Sequence, residues 1–243
     1  MTQTFASFWF GGALSPHSQL CVQSFLDHGH QFRIYSYDAN LAVPDGCHVA
    51  DASQIYNSDK VFFYKGAGEK VSAFSNMFRY RMIFETGICW VDTDVLCTSS
   101  AFPHSEYLFA RQDDEYFNGA VLRFPRGHEA MRLAAEYCWD VRKTAKWGDL
   151  GPRLLTQIVN EYRMESLAVD KQLIYPLHWK EAMLVLDPGK GQQVSQRVTG
   201  AVAVHLWNEI FTRNGVDKRA LPPEGSYLAQ AVERHRSGKY FSK

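Results

Sequence analysis

The sequence has no excess of either charge, no paired cysteines and no long apolar run, and each absence excludes a class of protein. Its 26 basic and 26 acidic residues give a formal net charge of zero. This balance argues against a nucleic-acid-binding protein, because such binding rests on neutralising many phosphates. The five scattered cysteines form no C-x-x-C pair. We therefore expect reduced thiols rather than a disulfide framework or a zinc site.

Two further absences concern membranes. No stretch approaches the ~20 apolar residues of a membrane-spanning helix, since Asp92 and Asp94 interrupt the longest candidate. The N-terminus lacks both the basic and the apolar region of a signal peptide. We therefore expect a cytoplasmic protein without a transmembrane segment. The mildly basic C-terminal tail allows at most a weak association with a membrane surface or an acidic glycan.

The first 37 residues show the pattern of an α/β protein. Thr4–Phe10 is typical of a buried strand, Ser15 and Pro16 are typical of a helix start, and Gly29 is typical of a helix stop. Phe32–Tyr37 then predicts a second strand. Strand, helix and strand in this order predict a parallel sheet covered by helices. With no internal repeat or linker, we expect residues 1–243 to form one domain with a mixed, mostly parallel sheet.

The rest of the chain continues this alternation. Gly66–Gly68 is expected to open a long helix that stops at Gly87, and Ile88–Val91 reads as a central strand buried on both faces. Further helices are expected over residues 129–143 and after Gly151. The remaining strand-like segments are Cys47–Ala50, Tyr107–Arg111, Gly119–Phe124 and Ala201–Leu206.

Asp92 and Asp94 are the most informative residues. Two carboxylates at i and i+2 on an extended segment point to the same side, and at the carboxyl end of a parallel strand they face the crevice where open α/β sheets bind ligands. A divalent cation relieves their repulsion, and oxygen ligands suit Mg²⁺ or Mn²⁺, which commonly also bind phosphates. The competing interpretation is a pair of aspartates that caps a turn.

The surroundings of this pair resemble a known enzyme family. The block Ser75-Asn76-Met77-Phe78-Arg79-Tyr80, then Gly87, then Trp90-Val91-Asp92-Thr93-Asp94 resembles the sugar-binding "DXD" region of glycosyltransferase family 32, of capsular polysaccharide and mannosyltransferase-type enzymes, and of the large clostridial glucosylating toxins. Other matching segments follow the family's order from Trp9 to Trp207. They are Phe8-Trp9-Phe10-Gly11, Asn118-Gly119, Gly151-Pro152 with Thr156, and His205-Leu206-Trp207.

The resemblance implies a GT-A fold and a retaining transfer of a sugar from a UDP- or GDP-linked donor to a carbohydrate or glycoconjugate acceptor. It implies that Asp92 and Asp94 hold Mn²⁺ or Mg²⁺ against the donor diphosphate. His205 is a candidate third ligand, and a core histidine is its equal alternative.

The resemblance also assigns donor contacts. Arg79 lies three residues after Asn76, so both share one helix face and could reach the same sugar hydroxyls. A surface ion-pair role is the alternative for Arg79. Trp9 could stack on the base and Trp207 could cover the sugar or the diphosphate, whereas a core position is the more frequent fate of such residues. Asp92, Asp94 and Asn118 are the candidate catalytic residues, and a hairpin turn is the alternative for Asn118.

Two other functions stay open on the sequence alone. The Asp92 and Asp94 pair also matches the nucleophile motif of haloacid-dehalogenase-like phosphohydrolases, although that motif normally lies on the first strand. A non-catalytic nucleotide-sugar-binding domain is the other alternative. Asn76 keeps it open, because the family has Asp at this position. Ile88, where the family has a second glycine, indicates only a change in packing.

Overall fold

The computed structural model describes residues 2–64 and 71–242. Over these residues the chain alternates strands with helices, as the sequence predicts. The eight strands are β1 Thr4–Phe8, β2 Gln31–Ser36, β3 His48–Asp51, β4 Cys89–Val91, β5 Val95–Cys97, β6 Leu108–Arg111, β7 Phe117–Arg123 and β8 Ala203–His205. The eight α-helices are α1 Pro16–Asp27, α2 Ser72–Thr86, α3 Glu129–Asp140, α4 Leu154–Glu161, α5 Lys171–Ile174, α6 Gly191–Arg197, α7 Asn208–Arg213 and α8 Tyr227–Arg234.

Six strands form the main sheet in the order β3-β2-β1-β4-β7-β6. Strands β3, β2, β1 and β4 are parallel, whereas β7 runs antiparallel to both β4 and β6. The predicted mixed, mostly parallel sheet is therefore confirmed. The strand predicted over Ala201–Leu206 is present as β8, which pairs antiparallel with β5 in a separate two-stranded sheet. Strand β5 itself was not predicted.

Local signals explain where the first two long helices begin and end. The Ser15 hydroxyl accepts a hydrogen bond from the backbone N–H of Ser18 at 3.1 Å, and Pro16 occupies the first turn of α1. Gly87 ends α2 in the left-handed conformation, with φ at +67°, which a glycine adopts without steric cost. The expected start of this helix at Gly66–Gly68 lies outside the described residues.

Helices cover both faces of the main sheet. Along β1, Ala6 packs with α2 and α3 in one apolar cluster, whereas its neighbour Phe5 packs with α1 in a second cluster. Successive strand residues point to opposite faces, so both faces are buried. A third cluster joins Leu20 of α1 to the small sheet and to α6, α7 and α8. This packing fixes the small sheet and α7 beside the carboxyl ends of β1 and β4.

All five cysteines are free, four of them buried, which agrees with the prediction of reduced thiols. Among the described residues, no helix combines the length and the apolar character needed to cross a membrane.

Candidate active site

The aspartate pair lies in a tight turn between the two sheets. The N–H of Asp92 donates to Ala120 on β7 at 2.8 Å, and the N–H of Val95 donates back to the carbonyl of Asp92 at 3.1 Å. The extended segment predicted for Asp92 and Asp94 is therefore wrong, and the turn of the competing interpretation is present. The carboxylates still converge, because a reversal of the chain brings them to one side.

Asp92 is held from the side of α2. Its Oδ1 accepts from Arg79 Nη2 and from Trp90 Nε1, both at 2.6 Å. The guanidinium of Arg79 also lies 5.1 Å from the centre of the Trp90 ring. Burial opposes the charge of Arg79, but the Asp92 carboxylate outweighs it and raises the pKa of Arg79. Only 6% of Arg79 is exposed, so the alternative of a surface ion pair for this residue is wrong.

Asn76 orients Arg79 from the same helix face, as predicted. Its Oδ1 accepts from Arg79 Nη1 at 2.9 Å, and its Nδ2 donates to the Ser72 carbonyl at 2.9 Å and to the Tyr64 hydroxyl at 3.4 Å. The donation to Ser72 requires an amide, which an aspartate does not have. The neighbours of residue 76 therefore match an asparagine, which donates to Ser72 and accepts from Arg79.

Two glycines make room for this network. A Cβ on Gly119 would lie 2.6 Å from Arg79 Nη1, and a Cβ on Gly151 would lie 3.3 Å from Asn76 Oδ1. The first distance is impossible without a shift. The glycine after Asn118 thus has a physical reason, namely the passage of the Arg79 guanidinium toward Asp92.

Asp94 is held from the side of the small sheet. Its Oδ2 accepts from the backbone N–H of Asn208 at 2.8 Å, and its Oδ1 lies 3.3 Å from His205 Nε2. The pairing of Val95 with His205 across β5 and β8 sets this approach. Burial opposes ionisation of Asp94, but the charge and hydrogen bond of His205 and the N–H of Asn208 outweigh it, so the pKa of Asp94 is lowered.

Asp92, Asp94 and His205 could together hold a metal ion. Each offers one ligand atom, and these atoms all lie within 4.8 Å of one another. Two carboxylates suit Mn²⁺ and Mg²⁺, while an imidazole suits transition metals, so the set fits Mn²⁺ best. His205 Nε2 is the ring atom that faces the carboxylates, 3.3 Å from Asp94 Oδ1, whereas Nδ1 is buried without a hydrogen-bond partner.

Trp207 follows this cluster with an unusual backbone. Its φ of +56° is in the left-handed region, which is uncommon for a bulky residue. This conformation directs the Asn208 N–H to Asp94 and places the Trp207 ring 3.9 Å from the His205 ring. Trp207 Nε1 donates to the Leu177 carbonyl at 3.1 Å. Trp9 is only partly buried, and its Nε1 donates to the Gly12 carbonyl at 2.7 Å.

Asn118 lies within β7, so its predicted alternative as a hairpin-turn residue is wrong. Its Nδ2 donates to Gln112 Oε1 at 2.6 Å, and its Oδ1 accepts from the N–H of Ala120 at 2.7 Å. The hairpin turn precedes it, and there Asp113 caps the N–H groups of Glu115 and Tyr116. The carboxylate of Asp113 therefore stabilises the loop.

One cleft of about 840 Å³ unites these residues. All eight predicted site residues line it, namely Trp9, Asn76, Arg79, Asp92, Asp94, Asn118, His205 and Trp207. Sequence reasoning missed two contributors, Trp90 and Asn208. Trp90 could have been found, because it stands two residues before Asp92 on the same strand face. Asn208 acts through its backbone N–H, for which the sequence carries no signal.

Comparisons with known proteins find glycosyltransferases. Residues 123–235 match the family model described as "Alpha 1,4-glycosyltransferase conserved region". Among curated proteins, the chain is similar to lactosylceramide 4-alpha-galactosyltransferase of Homo sapiens, with 25% identity over 146 residues, 56% of this chain and 41% of that protein. The same enzyme of Mus musculus is 25% identical over 146 residues, 56% of this chain and 40% of its own length. The matched stretch thus spans about two fifths of these relatives.

A solved structure named PaToxG Glycosyltransferase is also similar, with 12% identity, a TM-score of 0.49, and coverage of 97% of this chain and 84% of that one. The family and curated matches confirm the resemblance to glycosyltransferases, and they do not favour the phosphohydrolase. His205 and Trp207 lie inside the matched region, whereas Asp92 and Asp94 precede it.

Proposed function

We propose that this glycosyltransferase-family chain transfers a hexose, with retention of configuration, from a nucleotide-sugar donor to a glycan or glycoconjugate acceptor, and that it requires a divalent metal. The observation that carries the proposal is the convergence of all eight predicted residues, from Trp9 to Trp207, on one cleft. Residues so distant in the sequence have no structural need to share one cavity. The relatives' printed name makes UDP-galactose the first donor to test.

In this proposal, different residues of the cleft bind different parts of the donor. Asp92, Asp94 and His205 would hold Mn²⁺ or Mg²⁺, which supplies positive charge against the leaving diphosphate. Arg79, fixed by Asp92 and Asn76, offers its guanidinium to the sugar hydroxyls. Trp9 provides an indole for the base, and since stacking tolerates any base it fits uridine and guanosine alike.

The other tryptophan and the asparagine bound the reacting centre. Trp207, clamped between His205 and the Leu177 carbonyl, covers the sugar or the diphosphate and excludes water there. Both polar atoms of the Asn118 side chain are already hydrogen-bonded, Nδ2 to Gln112 and Oδ1 to Ala120. In our proposal Asn118 therefore shapes the cleft beside the reacting centre. A front-face mechanism, in which the departing phosphate helps to deprotonate the acceptor, needs no carboxylate nucleophile.

The test is release of nucleoside diphosphate from UDP-galactose, UDP-glucose, UDP-N-acetylglucosamine and GDP-mannose, with Mn²⁺ and with EDTA. Many transferases hydrolyse their donor slowly, so no acceptor is needed. We expect release from one donor that needs the metal and falls at least about 100-fold in Asp94→Ala, since a metal contributes several kcal/mol to such a step. Asp114→Ala is the matched control, because Asp114 is exposed and outside the cleft.

The contrary outcomes are distinct. Release that survives both EDTA and Asp94→Ala would exclude the metal site. Metal-dependent nucleotide binding without turnover, also in the presence of acceptor sugars, would identify a binding domain. Hydrolysis of p-nitrophenyl phosphate that depends on Asp92 would support the phosphohydrolase. The anomeric configuration of the transferred sugar, read by NMR, tests retention separately.

A further inference from the structure

Two tryptophans of the cleft take no part in the site described above. Trp147, in the loop between α3 and α4, is 54% exposed, and Trp179, at the start of the 3₁₀-helical segment Trp179–Leu186, is 37% exposed. Both line the cleft. Single exposed apolar residues are ordinary on protein surfaces, but two exposed indoles that line the same cleft are typical of a ligand-binding groove.

Basic side chains lie against both indoles. The Arg213 guanidinium lies 4.8 Å from the centre of the Trp147 ring, and Arg213 Nε in turn donates to Glu209 at 3.2 Å. Trp179 has the His178 ring at 5.2 Å and Lys180 Nζ at 5.4 Å. Side chains that are already oriented lose less freedom when a ligand binds, so these rings are prepared as contact surfaces.

The charges around the cleft disfavour a second anionic ligand beside the anionic donor of the proposed function. Five carboxylates and four basic Arg or Lys side chains line it. Arg213 is paired with Glu209, and Arg153 is paired with Asp149 at 2.7 Å. Under the proposed function the donor diphosphate is also negative. A second anion would therefore meet charges that are already compensated.

We propose that Trp147 and Trp179 form the acceptor subsite and stack on the pyranose rings of a neutral glycan. The C–H groups on one face of a hexose are weakly positive and pack on the electron-rich face of an indole, as cations do. The cleft volume of about 840 Å³ is near the upper end of the ~300–1,000 Å³ of ligand sites, which leaves room for two substrates. The acceptor role of this subsite rests on the proposed function, but the binding of a neutral glycan can be measured without it.

The experiment is a ligand-observed NMR titration with lactose, cellobiose and maltose as neutral probes and 3′-sialyllactose as the anionic one. We expect neutral disaccharides to bind more tightly than sialyllactose. Trp147→Ala and Trp179→Ala should each weaken binding about tenfold, the effect of losing one buried aromatic anchor. Trp147→Phe and Trp179→Phe, which keep an aromatic face, should restore most of it.

Tyr137→Ala is the matched control, because Tyr137 is 48% exposed but lies outside the cleft. Donor hydrolysis without acceptor should stay within about twofold of wild type in all five variants, since none removes a donor contact. Absence of binding by all three neutral probes, a preference for sialyllactose, or Ala variants that bind like Tyr137→Ala would each overturn the subsite. Neutral-glycan binding that needs the tryptophans, in a protein that releases no nucleotide with or without these glycans, would uphold the glycan subsite and refute the transferase.

Discussion

Asp92 and Asp94 are two residues apart, yet the protein holds them by different means. Asp92 is fixed by side chains of nearby sequence, Arg79 and Trp90. Asp94 is fixed by His205 and by the backbone of Asn208, more than a hundred residues later. The Asp92 carboxylate is 28% exposed and the Asp94 carboxylate 14% exposed.

The difference shows how one short motif can join two parts of a fold. The Asp92 side is a salt bridge within the α2–β4 unit, and both side-chain partners of Asp92 lie in the first half of the chain. The Asp94 side exists only once β8 has paired with β5. A change on one side should therefore affect local packing, and a change on the other should affect the docking of the C-terminal helices.

Arg79→Met should produce the largest loss of stability. It removes the buried partner of Asp92, and breaking a buried ion pair costs about 3–5 kcal/mol because one charge remains uncompensated. Arg81→Met is the control on the same helix, since Arg81 pairs with Glu85 at the surface and such pairs contribute about 0–1 kcal/mol. Urea unfolding of both variants measures the contrast. Equal losses would show that the Asp92 side depends on helix packing alone.

Acid should weaken the Asp94 side through His17. This histidine packs beside Phe211 of α7, and burial, with a smaller contribution from the charge of Lys218, lowers its pKa from 6.5 to about 4. Between these values the unfolded chain binds the extra proton, so stability is complete above pH 6.5 and falls as the pH drops toward 4. The difference amounts to about 3 kcal/mol.

His17→Gln should remove most of this dependence, as unfolding free energies measured from pH 7 to pH 4 would show. The pKa values of His30, His128 and His235 are also lowered, so a smaller slope should remain. His104→Gln, at an exposed position, is the control and should keep the full slope. An unchanged slope in His17→Gln would assign the acid sensitivity to the other three histidines.

Gly119→Ala should have the smallest effect of the three. The new Cβ would lie 2.6 Å from Arg79 Nη1, so the guanidinium must move, and overpacking of this kind costs about 1–3 kcal/mol. Gly12→Ala is the control, because a Cβ there has no atom within 4 Å. Thermal unfolding tests stability, and donor hydrolysis tests whether Arg79 has shifted. If Gly119→Ala and Gly12→Ala have the same thermal stability and the same rate of donor hydrolysis, the close approach of Gly119 to Arg79 contributes nothing to stability or activity.

The sequence predicts the first β-α-β unit well but extends β1 too far. Trp9 and Phe10 continue its apolar run, yet they line the cleft and Phe10 is 39% exposed. An apolar residue at the carboxyl end of a strand can thus serve a ligand, and composition does not distinguish this from burial. The pair Asn118-Gly119 suggested a turn, because glycine is common in turns. Here the glycine lies within β7 and is needed to leave room for the Arg79 guanidinium.

Long-range pairing explains the remaining errors. Strand β5 has only three residues and follows Asp94 directly, so it reads as the end of the preceding apolar run. Its partner β8 is remote in the sequence, and no local pattern reveals that the pair leaves the main sheet. The identity of the site residues came from motif order. The one-domain organisation and the cytoplasmic location stay predictions.

The turn from Asp92 to Asp94 also connects the main sheet to the small sheet. A rotation of one sheet against the other therefore changes the spacing of Asp92, Asp94 and His205. An ion bound by all three residues would restrain this turn. It would also link residue 94 to residue 205 and so close a long loop, which is entropically costly. A ligand held only by the folded protein, at 100 times its Kd, adds about 2.7 kcal/mol of stability. The supply of such an ion would thus affect how rigidly the two sheets are held together.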